Sequence, residues 1–191
     1  RAKLDAERTL SREAERAGMR LATLRLPHVY GARDLFFERV HDGLVFFAGR
    51  GDNLFSHLHV SDAARVLITA ARQGWSGTSP VADHRPTTWA EFARILGENY
   101  PRFRYARLPA GLARLGTELL RPFVALRNRP SLYTPDTVAG WNLNLPVKPG
   151  TLWQQLGIQP AYPTVAEGIP AVLDESVAFR WTHPHADPLP Y

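Results

Sequence analysis

The spacing of apolar positions divides the chain into alternating helical and extended segments. In residues 2–17 (AKLDAERTLSREAERA) Ala6, Leu10, Ala14 and Ala17 recur at helical spacing among charges and Gly18 follows, which predicts a half-buried helix with a glycine stop. Leu21 to Leu26 (LATLRL) is a short apolar run closed by Pro27, Tyr30 and Gly31, as where a buried strand ends in a loop. Arg33 to Asp42 can form a helix, and Leu44 to Ala48 reads as a strand. GRGDN (Gly49 to Asn53) reads as a turn before a strand from Phe55 to Val60. Ser61-Asp62 is expected to cap the helix AARVLITAARQG, which ends at Gly74. A strand at Pro80 to Ala82 and a helix WAEFARILGENY, capped by Thr87 or Thr88, come next. Phe103 to Leu108 reads as extended, and Pro109 to Leu126 as a long apolar helix containing Pro122. Asn128 to Pro149 is loop-rich, two short helices are expected near Thr151 to Leu156 and Thr164 to Phe179, and the Pro-rich tail WTHPHADPLPY is expected to be poorly ordered. Helix, buried strand and loop in succession predict an α/β fold.

Composition narrows the classes of function. The 191 residues are 45% apolar and 21% charged, which suits one globular domain or a lobe of a larger one. Without cysteine there is no disulfide framework, zinc-thiolate site or thiol nucleophile, and a reducing cytoplasm is the default compartment. The longest apolar stretches, such as LVFFAG from Leu44 to Gly49, fall far short of the roughly 20 residues of a membrane span, and no signal peptide or lipidation motif is present. The formal net charge is +5, carried by 21 arginines and 2 lysines. The arginines are scattered without aromatic interleaving, so the basic balance does not point to nucleic acid. Arg1 opens onto a helical pattern without a cap, and the chain is expected to begin in the middle of a larger unit.

Lys3, the loop PHVYG, the turn GDN and the junction HLHVSD are the places where chemistry could sit. In an open α/β sheet, ligands lie outside the carboxyl ends of the strands, which makes the loop after LATLRL the best placed. Lys3 gains weight from the composition: a chain that uses Arg wherever charge suffices keeps Lys where a compact ammonium is needed. His57 and His59 alternate along a strand and share a face, but no third metal ligand is evident and no metal site is assigned. Asp62 reads most simply as an N-cap. His183 and His185 lie in the tail and carry no stronger signal.

The order of these elements resembles the C-terminal part of the extended short-chain dehydrogenase/reductase superfamily, the NAD-dependent epimerase/dehydratase group. The resemblance is carried by Lys3 in AKLDAER, LRLPHVYGARD (Leu24 to Asp34), GRGDNLFSHLHVSDAARVLITA (Gly49 to Ala70), VADHRPTTWAEFARIL (Val81 to Leu96) and LGIQPAYPTVAEGIPAVL (Leu156 to Leu173). It implies the C-terminal portion of a Rossmann-type fold with a small substrate-binding lobe, the dinucleotide-binding half lying upstream. On this division residues 1–74 end the Rossmann sheet and carry the catalytic-lysine helix, 75–179 form mainly the substrate lobe, and 180–191 are the tail. In that family a Tyr-x-x-x-Lys pair on one helical face moves the proton, the lysine lowering the tyrosine pKa and holding the nicotinamide ribose. Lys3 matches the lysine, and its tyrosine would fall four residues earlier, before Arg1. No G-x-G-x-x-G loop occurs in these residues. The resemblance further implies cofactor contacts at Lys3, Pro27, His28 and Val29, substrate contacts at His28, Asn53 and His57, NAD or NADP as cofactor, and an optional homodimer through the Lys3 helix. His28 is expected to face the substrate rather than to act as general base, and Tyr30 and Gly31 to be structural.

Sugar-nucleotide enzymes of the group carry an arginine for the substrate pyrophosphate just before the strand ending in Val-x-Asp. Here that stretch reads Asn53-Leu54-Phe55-Ser56, without Arg. The wording resembles instead the hydroxysteroid-dehydrogenase-like and dihydroflavonol-reductase-like branches, which agrees with LPAGLARLGTELLRPF, Pro-Ser-Leu-Tyr-Thr and an apolar substrate. Three readings stand: an NAD(P)-dependent oxidoreductase acting on an alcohol or ketone, a sugar-nucleotide epimerase or dehydratase, and a truncated or non-catalytic binding relative.

Overall fold

The computed structural model describes residues 2–34, 36–37, 40, 44–100, 103–127 and 133–182. Helix α1 (Ala2–Arg16) leads to strands β1 (Ala22–Arg25) and β2 (His28–Tyr30), followed by β3 (Leu44–Ala48), β4 (Leu54–Phe55) and β5 (His57–His59). Helix α2 (Val60–Arg72), β6 (Gly77–Pro80), β7 (Thr87–Thr88), α3 (Trp89–Asn99), β8 (Arg104–Leu108) and α4 (Ala110–Arg127) come next, then α5 (Pro135–Gly140), α6 (Leu152–Gln155) and α7 (Val165–Thr182). Three parallel strand pairs, β1 with β6, β2 with β5 and β3 with β8, and one antiparallel pair, β4 with β7, make an α/β fold.

Pro27 sets the position of the site. Lacking an N–H, it cannot donate to a ladder, and the chain changes partner across it. Arg25 stands opposite Pro80 of β6, whereas His28 stands opposite His57 of β5. Two cores form on either side of this switch. One gathers Tyr30, Phe37, Phe47, Trp89, Phe92 and Ile169; the other gathers Leu58, Val66, Val81, Leu152 and Trp153, whose indole donates to the Ala82 carbonyl at 3.1 Å.

Several sequence expectations are corrected by tertiary contacts. The single strand expected from Phe55 to Val60 is broken at Ser56, whose hydroxyl accepts from the Val147 amide at 2.7 Å and donates to the Val147 carbonyl at 3.2 Å. The cap of α2 is His59, which accepts from the Ser61 amide at 3.2 Å, so neither Ser61 nor Asp62 caps it. Asp62 is instead fully buried and accepts from the Ala161 and Tyr162 amides, each at 2.8 Å, and from Arg65 at 2.9 Å. The strand expected at Pro80 to Ala82 lies earlier, at Gly77–Pro80. Within the loop-rich stretch, α5 forms on a Thr134 cap with Pro135 in the first turn. Helix α1 was expected to be half-buried, yet none of its residues is buried, and Leu10 is 58% exposed. Thr88 caps α3 as one of the two expected threonines, accepting from Glu91. Of the helix expected at Arg33 to Asp42, Phe36, Phe37 and Val40 are helical and several positions lie outside the described residues, as does the tail from His183 to Tyr191.

Candidate functional site

The partner switch at Pro27 leaves a cavity of about 610 Å³ at the end of β1, floored by Pro27, His28 and Asp34 and walled by Phe55, Trp89 and Trp141. The far wall, Leu145 and Val147, belongs to a strap laid along β4. The strap is held by backbone bonds from the Leu145 amide to the Leu54 carbonyl at 2.9 Å and from the Ser56 amide to the Leu145 carbonyl at 3.3 Å, and by side chains from both sides: Asn53 donates to the Leu143 carbonyl at 2.7 Å, and Asn144 accepts from the Leu54 amide at 2.8 Å. Apart from His28, no basic side chain is among the described residues lining the cavity.

His28 is the polar centre of this floor. Its Nδ1 lies 3.0 Å from Nδ1 of His57, and its Nε2 lies 3.5 Å from the Asp34 carboxylate. Asp34 is oriented in turn by accepting from the Phe36 amide at 3.3 Å. His57 is fully buried against Trp89 and Phe92, with ring centroids 5.2 and 4.9 Å away. Burial, then the neighbouring His28, push its pKa well below the usual imidazole range, against a pull from the Thr87 carbonyl. His57 is therefore neutral at neutral pH. His28, 21% exposed, is the ring of this pair that reaches the cavity.

Behind the floor, Tyr30 is fully buried with its ring 5.4 Å from that of His59. Burial and the Asp83 and Asp62 carboxylates raise its phenol far above the ordinary value, so it stays protonated. A Cβ at Gly168 would collide with the Tyr30 hydroxyl, which explains a glycine inside α7. His59, spent on capping α2, is held below its ordinary pKa by burial, against the pull of Glu175 and Asp62.

The structure brings some of the expected site residues together and separates others. Pro27 and His28 share the cavity, and His57 reaches it only through His28. Val29 points the opposite way and packs on the second core. Asn53 is buried on the Leu143 carbonyl and is not among the described lining residues. Lys3 lies on exposed α1, where Glu7 pairs with Arg25 at the end of β1, at 2.6 Å. The Arg25 guanidinium, by hydrogen bond and by charge, holds the Glu7 carboxyl below its usual range. One helical turn from Glu7, Lys3 stands about 6 Å farther along the helix axis. The sequence reading passed over Asp34, Trp89 and Trp141: Asp34 stood inside the quoted LRLPHVYGARD, and nothing local marks either tryptophan. Among the described residues, no group of three or more His, Cys, Asp or Glu side chains could hold a metal ion.

Residues 1–81 match the model of the NAD dependent epimerase/dehydratase family. No curated protein matches the sequence. Among solved structures, UDP-glucose 4-epimerase from Thermotoga maritima, solved with UDP-glucose, is 20% identical with a TM-score of 0.64 and covers 95% of this chain and 52% of its own. UDP-N-acetylglucosamine 4-epimerase from Methanobrevibacter ruminantium, solved with UDP-N-acetylmuramic acid, is 14% identical with a TM-score of 0.65, covering 93% of this chain and 52% of its own. A human epimerase family protein solved with NADPH is 18% identical with a TM-score of 0.62, covering 82% and 49%. The chain thus spans about half the length of these structures. Residues 1–81 are thus similar to the NAD dependent epimerase/dehydratase family, and the described α/β fold is similar to that of the solved epimerases.

Proposed function

We propose that this chain is the substrate-side portion of an NAD(P)-dependent oxidoreductase that moves a hydride between a nicotinamide and the carbon of an apolar alcohol or ketone. The observation that supports this reading best is the cavity: tryptophan, phenylalanine, leucine and valine walls, and a floor on which His28 and Asp34 are the charged or titratable groups among the described lining residues. A diphosphate needs a cation or a run of donors, whereas a ketone or hydroxyl needs one or two. The matched relatives named as NAD dependent or solved with NADPH support a nicotinamide dinucleotide. When bound, it supplies or accepts the hydride. Pro27 and His28 would border its nicotinamide end, and the ammonium of Lys3 would donate to its ribose. Lys3 would also hold down the pKa of a tyrosine four residues before it, which protonates the carbonyl oxygen or deprotonates the alcohol. His28, held between His57 and Asp34, would orient that oxygen.

The sugar-nucleotide reading is favoured by the epimerases among the structural matches. Turnover separates the two. In the protein that includes the residues preceding Arg1, reduction of apolar ketones by NADH or NADPH is expected, with no action on UDP-sugars. In that protein Lys3→Ala should cost at least about 100-fold in turnover, with poor rescue by Lys3→Arg, because a planar guanidinium does not occupy the compact ammonium position. Both variants should change stability by less than about 0.5 kcal/mol. Near-wild-type turnover in Lys3→Ala removes the assignment.

A further inference from the structure

The hydrogen positions at the cavity floor are set by three side chains in contact. His57, fully buried, brings its Nδ1 to 3.0 Å from Nδ1 of His28, and the other ring nitrogen of His28, Nε2, lies 3.5 Å from Oδ2 of Asp34. Strand register makes the first contact: His28 and His57 are partners in the parallel pair of β2 and β5, and Trp89 and Phe92 of α3 pack on both rings. The turn after β2 makes the second. There the Asp34 amide donates to the Gly31 carbonyl at 3.0 Å and Oδ1 accepts from the Phe36 amide at 3.3 Å, which leaves Oδ2 buried with no hydrogen-bond partner among the described residues. His57 covers the Nδ1 side of His28, so Nε2 is the nitrogen on the side of the cavity, which His28 and Asp34 both line.

Two ring nitrogens 3.0 Å apart share one hydrogen, and His57 is neutral, so two arrangements are open. With the hydrogen on His57, Nδ1 of His28 is a lone pair and a hydrogen stands on its Nε2, facing Asp34. With the hydrogen on Nδ1 of His28, a bare Nε2 would set acceptor against acceptor at Oδ2, and this arrangement holds only when a second hydrogen enters on Nε2. Nε2 therefore carries a hydrogen in both. At 3.5 Å that hydrogen is only loosely engaged by Asp34, and it remains available to an oxygen in the cavity. We propose that His57 and Asp34 are positioning residues that keep a hydrogen on Nε2 of His28 and thereby make the floor a one-donor site for an uncharged carbonyl oxygen. This role rests on the cavity being the substrate site, and it narrows the ligand: a ketone brings a lone pair to that hydrogen, whereas an ammonium group brings only hydrogens.

Nitrogen-15 NMR of the 191-residue chain, with its histidines labelled, reads each ring hydrogen, because bare and protonated ring nitrogens resonate far apart. At neutral pH His28 should show a protonated Nε2, and His57 a neutral ring with one hydrogen. Asp34→Asn offers an amide hydrogen where only an acceptor stood, and should bring in the Nδ1-protonated tautomer of His28. His57→Phe removes the partner that fixes the ring and should broaden or shift the His28 signals, whereas His57→Asn, with an amide near the former Nδ1, should restore them. Acetophenone, followed by the same signals, should move Nε2 of His28 and bind more tightly than 1-phenylethylamine. Its affinity should fall about fivefold in Asp34→Asn and in His57→Phe, with recovery in His57→Asn. The Asp34 variant, at a side chain 25% exposed, decides the matter if His57→Phe does not fold. A bare Nε2 on His28 overturns the proposal, as do a charged His57 and unchanged ketone affinity in the variants. So does tighter binding of the amine, which would make Asp34 the group presented. No turnover enters these measurements: a parent protein that leaves ketones unreduced would remove the oxidoreductase reading alone, and a bare Nε2 would remove this role alone.

Discussion

At the scale of single residues, Asp62 and Asp83 are two buried carboxylates with opposite roles. Asp62 is saturated, receiving two backbone amides and Arg65, and so ties the start of α2 to the segment before α7. Asp62→Asn puts a donor where an amide already donates. A loss of about 2–4 kcal/mol is expected in denaturant titration, and a loss under 1 kcal/mol would show that the clamp is dispensable. Asp83 is just as inaccessible, but burial pushes its pKa up to about 8, offset in part by the backbone amides of His57 and of Asp83 itself. A raised carboxyl pKa means that the folded state holds the proton more tightly than the unfolded chain. Its contribution to stability is thus full below pH 3.8 and is lost as pH rises through about 8. His57 has the other sign: its depressed pKa gives stability that is present above pH 6.5 and lost as pH falls. Asp83→Asn should therefore flatten the decline of melting temperature between about pH 4 and 8 and leave the acid limb unchanged. An unaltered alkaline slope would refute the assignment.

Among the elements, the local ones were the legible ones. The apolar repeat of α2, the strand β3 and the Thr88 cap of α3 follow from periodicity and side-chain chemistry within a few residues. Thr88→Ala removes the acceptor for the Glu91 amide and should cost about 1 kcal/mol, with the loss confined to stability if Trp89 keeps its place in the cavity wall. A cost near zero would mean that packing alone sets the start of α3. What stayed illegible depends on distant partners. Asp62 looks like a cap until the amides of Ala161 and Tyr162 arrive from 99 and 100 residues away. Ser56 looks like mid-strand until Val147 claims its hydroxyl. The Thr134-Pro135 pair did announce α5, since a hydroxyl followed by proline is a helix start, and the surrounding prolines masked it. At the candidate site, Pro27 and His28 were visible as the residues after a buried strand, whereas Trp141 enters the cavity from a segment with no local signature.

For the molecule as a whole, the fold is that of the epimerase/dehydratase enzymes over about half their length, and the sequence holds no glycine-rich loop to cradle a pyrophosphate at a helix N-terminus. Calorimetric titration of the 191-residue chain with NAD(H) or NADP(H) is accordingly expected to show no micromolar binding, and a micromolar isotherm would place pyrophosphate donors where none has been recognised. The strap that closes the cavity has a further consequence, for the order of events in folding. Its bonds join Asn53, Leu54 and Ser56 to partners 90 or 91 residues later in the chain. Closing loops of that length is entropically expensive and comes after local helices and turns have formed. On a ribosome, the floor at Pro27 and His28 is synthesised long before Leu145 and Val147 emerge to wall it, so the nascent chain passes through a long interval with its future binding surface open to water and to other chains.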